Sequence, residues 1–186
     1  MVSACLKNED NLPVRLMFED EARFGRMSDP RSCWAPSPIR PIVNLALIRE
    51  FRYEYATVRP WDGSIDYMTS EKMNTEGMSR FLNQASEAHP TEFNVMVVDG
   101  ASSHKSKELE IPKNISLVFL PPYSPELNPA EQIWNVLRRD YFANRVFDSL
   151  DAATEQAEEG LAAMAKNRES TKNLTNWPWI SAVLKA

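Results

Sequence analysis

The sequence predicts an α/β layered fold, a mixed central sheet of about five strands with helices on both faces. Three observations predict it. Apolar runs of strand length come first, at residues 13–20, 42–48 and 51–58. From residue 74 onward, helical periodicity alternates with strand-like runs. No repeat, low-complexity tract or Gly/Ser linker interrupts the order. Strands in hairpin order followed by alternating helices and strands are what a layered sheet requires.

Residues 13–20 (PVRLMFED) form the first strand, and residues 42–48 and 51–58 the next two, the last carrying Tyr53, Tyr55 and Val58. Gly63 marks a turn, after which residues 64–68 offer a short further strand. Met78, Phe81, Leu82 and Ala85 recur at helical spacing, so residues 74–88 form an amphipathic helix stopped by Pro90. Residues 93–98 (FNVMVV) are apolar almost throughout, the mark of a central strand, and residues 116–120 (SLVFL) make another. The prolines of Pro121-Pro122-Tyr123-Ser124-Pro125 forbid helix and stiffen a loop. A helix is expected over residues 129–143 and a second over 150–166, with Ala153, Ala157, Leu161 and Met164 on one stripe. The tail from Arg168 reads as short, with an aromatic knot at Trp177-Pro178-Trp179. The expected organisation is a core over residues 1–148 with the helix and tail of residues 149–186 packed on it, one domain overall.

The chain has 186 residues, 43% hydrophobic and 25% charged, a globular composition. Two cysteines, Cys5 and Cys33, are too few for a disulfide framework, and the apolar runs are too short to cross a bilayer; a cytoplasmic setting without membrane contact is expected. The net charge of −5 argues against gripping phosphates by bulk charge. It leaves room for an enzyme whose site is itself a cluster of acids.

Three acids stand out by position. Asp20 is expected to end the first strand, and Asp99 ends the strand at 93–98, with Gly100 after it for a sharp turn. Glu131 lies in the first turn of a helix. Functional groups of open α/β sheets gather beyond strand ends. Two strand-end acids and a helix-borne third form an all-oxygen donor set suited to hard cations such as Mg²⁺. Each acid also has an ordinary structural role open to it. Strand-end aspartates cap turns. Asn128-Pro129-Ala130-Glu131 resembles a capping box, with Asn at N-cap, Pro at N1 and Glu at N3.

The words around these acids resemble the motifs of mariner-type DDE transposases, in their bacterial insertion-sequence branch. Phe18-Glu19-Asp20-Glu21-Ala22-Arg23-Phe24 resembles the first acidic motif. Val97-Val98-Asp99-Gly100-Ala101-Ser102-Ser103-His104 resembles the second, an aspartate after an apolar strand with a histidine five positions on. The string from Leu120 through Asn128-Pro129-Ala130-Glu131 to Ile133-Trp134 resembles the third almost residue for residue, and Cys33-Trp34-Ala35-Pro36 the Trp-Pro hairpin. The departures are Ser37-Pro38 where the family usually has glycine and Gly100 where many relatives have asparagine. The resemblance implies a ribonuclease-H-like fold and a catalytic, metal-binding triad of Asp20, Asp99 and Glu131. It further implies two Mg²⁺ or Mn²⁺ ions, cleavage at transposon ends, and strand transfer to target DNA by the freed 3′-hydroxyl. Relatives often act as dimers, so a homo-oligomer is expected. Relatives also carry helix-turn-helix domains, and residues 1–12 are too few for one, so the DNA-reading part is expected to be absent from this chain.

Around the triad, helix spacing puts Glu131, Asn135 and Arg138 on one polar face and Ile133, Trp134, Leu137 and Tyr141 on the other. Arg138, Asn135, Arg23 and His104 are candidate contacts to DNA or the leaving group. Each also has a plain reading: surface charge for Arg138, turn capping for His104. Arg23, Arg26 and Arg31 are expected to form a basic cluster in a loop after Asp20. Glu19 and Glu21 alternate with Asp20 and should face away from it, Trp134 should be core, and Trp177 and Trp179 are expected as packing anchors or a subunit contact. The alternative to an active transposase domain is an idle remnant or regulator that acts through protein and DNA complexes.

Overall fold

The computed structural model describes residue 8 and residues 10–183; Cys5 lies outside the described residues. Five strands form one sheet in the order β3-β2-β1-β4-β5. They are β1 (Val14–Met27), β2 (Leu47–Arg59), β3 (Ser64–Ser70), β4 (Phe93–Val98) and β5 (Ile115–Phe119). The first three make an antiparallel meander, while β4 pairs parallel to β1 and β5 parallel to β4. All six residues of β4 are buried, as its unbroken apolar run requires.

Helices cover both faces. On one, α1 (Thr75–Ala88) sets Met78, Phe81, Leu82 and Ala85 against Met17, Tyr55, Met96 and Val98. Asn74 caps it, its side chain accepting from the Gly77 amide at 2.9 Å. On the other face, Phe18, Ala22, Phe24, Ala56, Val58 and Val97 meet α2 (Glu131–Val136), α3 (Leu150–Lys166) and the C-terminal helices α4 (Arg168–Thr175) and α5 (Pro178–Val183). The stripe Ala153, Ala157, Leu161, Met164 is buried as the period predicts. Gly160 sits where α3 crosses Leu137 and Tyr141 so closely that a Cβ would strike the Leu137 side chain. Trp177 packs against the core, whereas Trp179 meets Phe18 edge-on at 6.1 Å but stays 41% exposed.

Four expectations need correction. β1 does not stop at Asp20 but runs to Met27, because Ala22 and Phe24 continue the buried alternation. Arg23 and Arg26 are therefore strand residues, and Arg23, Arg26 and Arg31 make no free basic loop. Arg23 stacks on Phe51, Arg26 pairs with Glu50 at 3.0 Å, and Arg31 pairs with Asp29 at 2.9 Å. Residues 42–46 are not strand; they belong to an exposed connection between β1 and β2 in which Trp34 and Ile42 are almost wholly exposed. The helix expected over residues 129–143 is α2 followed by a π-helical stretch, Leu137–Phe142. Beyond these four, the short tail after Arg168 folds into α4 and α5.

Candidate active site

The pairing of β1 with β4 runs from Val14↔Phe93 to Phe18↔Val97 and then stops. Two residues further along each strand stand Asp20 and Asp99. The parallel register thus delivers both carboxylates to one level of the sheet, just past the point where the two strands part. Asp20 is not a strand-end residue of β1, but it lies at the end of β4. Alternation turns Asp20 to the face of Phe18 and Ala22, where α2 lies.

Glu131 reaches the same place because α2 is tethered there. Asn128 is buried, and its side-chain amide donates to the Glu19 carbonyl at 2.9 Å while its Oδ1 accepts from the Ala130 amide at 3.1 Å. This differs from the expected capping box. The Asn128 amide donates to the Pro125 carbonyl, so Glu131 does not close the box, and α2 begins at Glu131 itself. Asn128 is a strut between β1 and α2, and Glu131 is left facing the cleft.

Asp20, Asp99 and Glu131 line one cleft of about 460 Å³, walled by the loop at residues 120–125 and by Lys105. Burial, then the neighbouring Glu131 charge, push the Asp20 carboxyl up to about 7, against the pull of a hydrogen bond from Trp134. That bond, Trp134 Nε1 donating to Asp20 Oδ2 at 2.8 Å, orients the carboxylate. The hydrogen bond to His104 holds Asp99 below the usual carboxylate range, opposed by partial burial. Asp99 Oδ1 also accepts from the Ala101 amide at 2.8 Å, so the turn-capping role and the cleft position coexist. Gly100 is not in the left-handed region; among the described residues Gly63 is the glycine that is.

His104 is buried beneath the cleft, with Nδ1 2.9 Å from Asp99 Oδ1 and Nε2 3.1 Å from Glu21 Oε1. Burial works against its charge, but the hydrogen bonds to Asp99 and Glu21 outweigh this and push the imidazole up to about 11. Glu19 and Glu21 do face away from the Asp20 side, with His104 between them and Asp99. The other candidate contacts stand outside the cleft lining. Arg138 lies over the Phe24 ring at 5.5 Å, Asn135 reaches Gln132, and exposed Arg23 stacks on Phe51 at 4.8 Å. Three contributors escape a reading of residues alone: Asn128 as strut, the indole of Trp134, and Lys105 on the wall. Trp134 is core as expected; the position of its N–H depends on a tertiary contact 114 residues away in sequence.

The model of the DDE superfamily endonuclease family matches residues 15–154. The chain belongs to the DDE superfamily endonucleases. It is 35% identical over 104 residues to the uncharacterized protein y4pE/y4sA of Sinorhizobium fredii (strain NBRC 101917 / NGR234), an alignment covering 53% of this chain and 74% of that protein. Among solved structures, the Mos1 mariner paired-end complex with Mn superposes with a TM-score of 0.60 at 15% identity, over 87% of this chain and 54% of that one. The pre-cleavage Mos1 transpososome gives 0.59 at 13% identity, over 87% of this chain and 54% of that one. The Mos1 strand transfer complex gives 0.58 at 14% identity, over 86% and 52%. The chain therefore spans about half the length of the Mos1 chains, and the fold it shares with them is ribonuclease-H-like. Among the described residues of this DDE endonuclease domain, no helix is long and apolar enough to cross a membrane.

Proposed function

We propose that this chain is the catalytic domain of a mariner-type transposase that cuts DNA at transposon ends and joins the cut strand to target DNA. In this reading residues 149–186 belong with the core at 1–148 as one catalytic unit. The observation that carries the proposal is the convergence of Asp20, Asp99 and Glu131 on a single cleft in a member of the DDE endonuclease family.

The donor set fits a hard divalent cation. It is all carboxylate oxygen, and an Asp20 carboxyl lifted to about 7 by burial and by Glu131 marks a charge repulsion that a cation relieves. Asp20, Asp99 and Glu131 would hold Mg²⁺ or Mn²⁺, two in the active complex. When bound, such ions activate the attacking water or hydroxyl and offset charge on the leaving oxygen. The protein supplies the positioning. Trp134 fixes the Asp20 carboxylate, His104 steers Asp99, and Asn128 holds the start of α2 against β1. Lys105, on the cleft wall, offers a cation to a phosphate oxygen. Attack on a backbone phosphorus by water breaks its bond to the 3′-oxygen and frees a 3′-hydroxyl; attack by that hydroxyl on a target phosphorus joins the strands and displaces the target strand's own 3′-oxygen, which leaves as a new 3′-hydroxyl. The partners in this reading are transposon-end DNA, target DNA and a second copy of the chain. The Mos1 relatives caught in paired-end and strand transfer complexes support that reading.

A nicking assay tests it. The full chain with a DNA duplex and Mg²⁺ or Mn²⁺ should produce nicks ending in a 3′-hydroxyl, and excess chelator should stop them. Nicking that persists in chelator overturns the proposal.

A further inference from the structure

Behind the cleft, on the α1 side of β1, lies a second group of ligating side chains. Glu19 is fully buried, and neither of its carboxylate oxygens has a hydrogen-bond partner. Glu21 is almost as enclosed, with a side chain 5% exposed. Among the described residues, the cationic partner of both is the single imidazole of His104, which Asp99 also engages. Glu19 and Glu21 thus share one imidazole, part of which is already taken by Asp99. Two fully buried, unpartnered carboxylate oxygens on Glu19 leave the group short of a cation.

The spacing points to what is missing. His104 Nε2 is 3.1 Å from Glu21 Oε1 and 3.6 Å from Glu19 Oε2, and ligating atoms of all three residues lie within 4.8 Å of one another. Zinc bound tetrahedrally by nitrogen and oxygen at about 2.0–2.2 Å separates its ligands by about 3.3 Å. The two distances to Nε2 bracket that value. The far side of the ring fits as well. Nδ1 lies 2.9 Å from Asp99 Oδ1, so coordination through Nε2 leaves the proton on Nδ1 and donates it to a carboxylate, the usual second partner of a metal-bound histidine.

We propose that Glu19, Glu21 and His104 Nε2 form a site for one Zn²⁺ ion, distinct from the Asp20–Asp99–Glu131 cleft. The imidazole ligand selects Zn²⁺ over Mg²⁺, whereas the all-oxygen cleft selects Mg²⁺ or Mn²⁺. The ion braces Asp99 from behind through His104. It does not depend on what the cleft cleaves.

The test uses the full chain without DNA, with Mg²⁺ in large excess to hold the cleft, titrated with ZnCl₂ in a calorimeter. One equivalent of Zn²⁺ should bind. Glu21→Gln should weaken it at least tenfold, and Asp20→Asn should leave it unchanged. Zinc X-ray absorption on the wild-type complex should show an imidazole in the first shell, lost in His104→Gln. This second measurement decides the matter should Glu21→Gln not fold. Absence of Zn²⁺ binding under Mg²⁺, affinity that follows Asp20→Asn instead of Glu21→Gln, or imidazole scattering that survives His104→Gln overturns the proposal.

Discussion

Asn128 ties β1 to the start of α2 through one side chain. Its two amide atoms bind backbone on two elements, the Glu19 carbonyl on β1 and the Ala130 amide at the start of α2. The residue is only 3% exposed, so water does not readily replace it. In Asn128→Ala both bonds are lost, and each orphaned buried group costs about 1–3 kcal/mol. The expected destabilisation is therefore about 2–6 kcal/mol, or a fall in Tm of about 4–24 °C for a domain of this size. Asn128→Asp keeps the acceptor for Ala130 but sets a buried carboxylate oxygen against the Glu19 carbonyl, so it should be at least as destabilising as alanine. Function should fall further than stability. At temperatures where the variant is still folded, α2 is no longer pinned to β1, and misplacement of Glu131 by about 1 Å is enough to reduce nicking on the order of a hundredfold. Urea unfolding and the nicking assay, run on the same preparations, check both halves. An alanine variant within about 0.5 kcal/mol of wild type, the range of an ordinary surface substitution, would refute the strut.

Two further outcomes follow from the same geometry. Trp134→Phe removes the indole donor to Asp20 Oδ2. A hydrogen bond to a charged group is worth about 1.5–3 kcal/mol, so nicking should need roughly ten- to a hundredfold more Mg²⁺ for half-maximal rate; an unchanged metal titration contradicts this role. Glu54 is buried, with Oε1 unpartnered and Oε2 accepting from Thr69 at 2.8 Å. Burial, opposed by the Thr69 bond, pushes its carboxyl from 4.5 to about 7. The folded state then holds the proton more tightly than the unfolded state, so this group costs stability as pH rises from about 4.5 to about 7 and no more above that. Glu54→Gln should abolish that drop and gain up to about 3 kcal/mol at pH 8, at about 1.4 kcal/mol per pH unit. Denaturant curves at pH 5 and pH 8 measure it, and equal gains at both would show that the charge is not the cause.

Much of the architecture was readable because local pattern and tertiary role agree. The continuous apolar run of β4, the stripe of α3 and the Met78-Phe81-Leu82-Ala85 stripe of α1 each announce their own environment. Misreadings arose where the environment is set by distant partners. Residues 42–46 look like a strand, yet they have no neighbouring strand to bond and stay exposed. Residues 21–27 look like a basic loop because their arginines are conspicuous, while the quieter alternation of Ala22 and Phe24 carries β1 onward. The three cleft acids could be picked out from their surrounding words and from strand and helix ends. Their convergence depends on the β1–β4 register and the Asn128 strut, which no local pattern encodes. The same register explains why Glu19 and Glu21 form a separate cluster behind the sheet.

In the proposed mechanism Asp20, Asp99 and Glu131 together hold the cations on which DNA cleavage depends. The most direct measurement compares nicking by wild type with Asp20→Asn, Asp99→Asn and Glu131→Gln, each with its Tm taken without added metal. Amides keep the shape but remove the charge that holds a cation. Asp20→Asn should also relieve the burial and repulsion that push that carboxyl up to about 7, raising the metal-free Tm. All three variants should stay folded, Asp20→Asn should melt above wild type, and nicking should disappear in every one. A folded Asp99→Asn or Glu131→Gln variant that nicks DNA at the wild-type rate contradicts the mechanism.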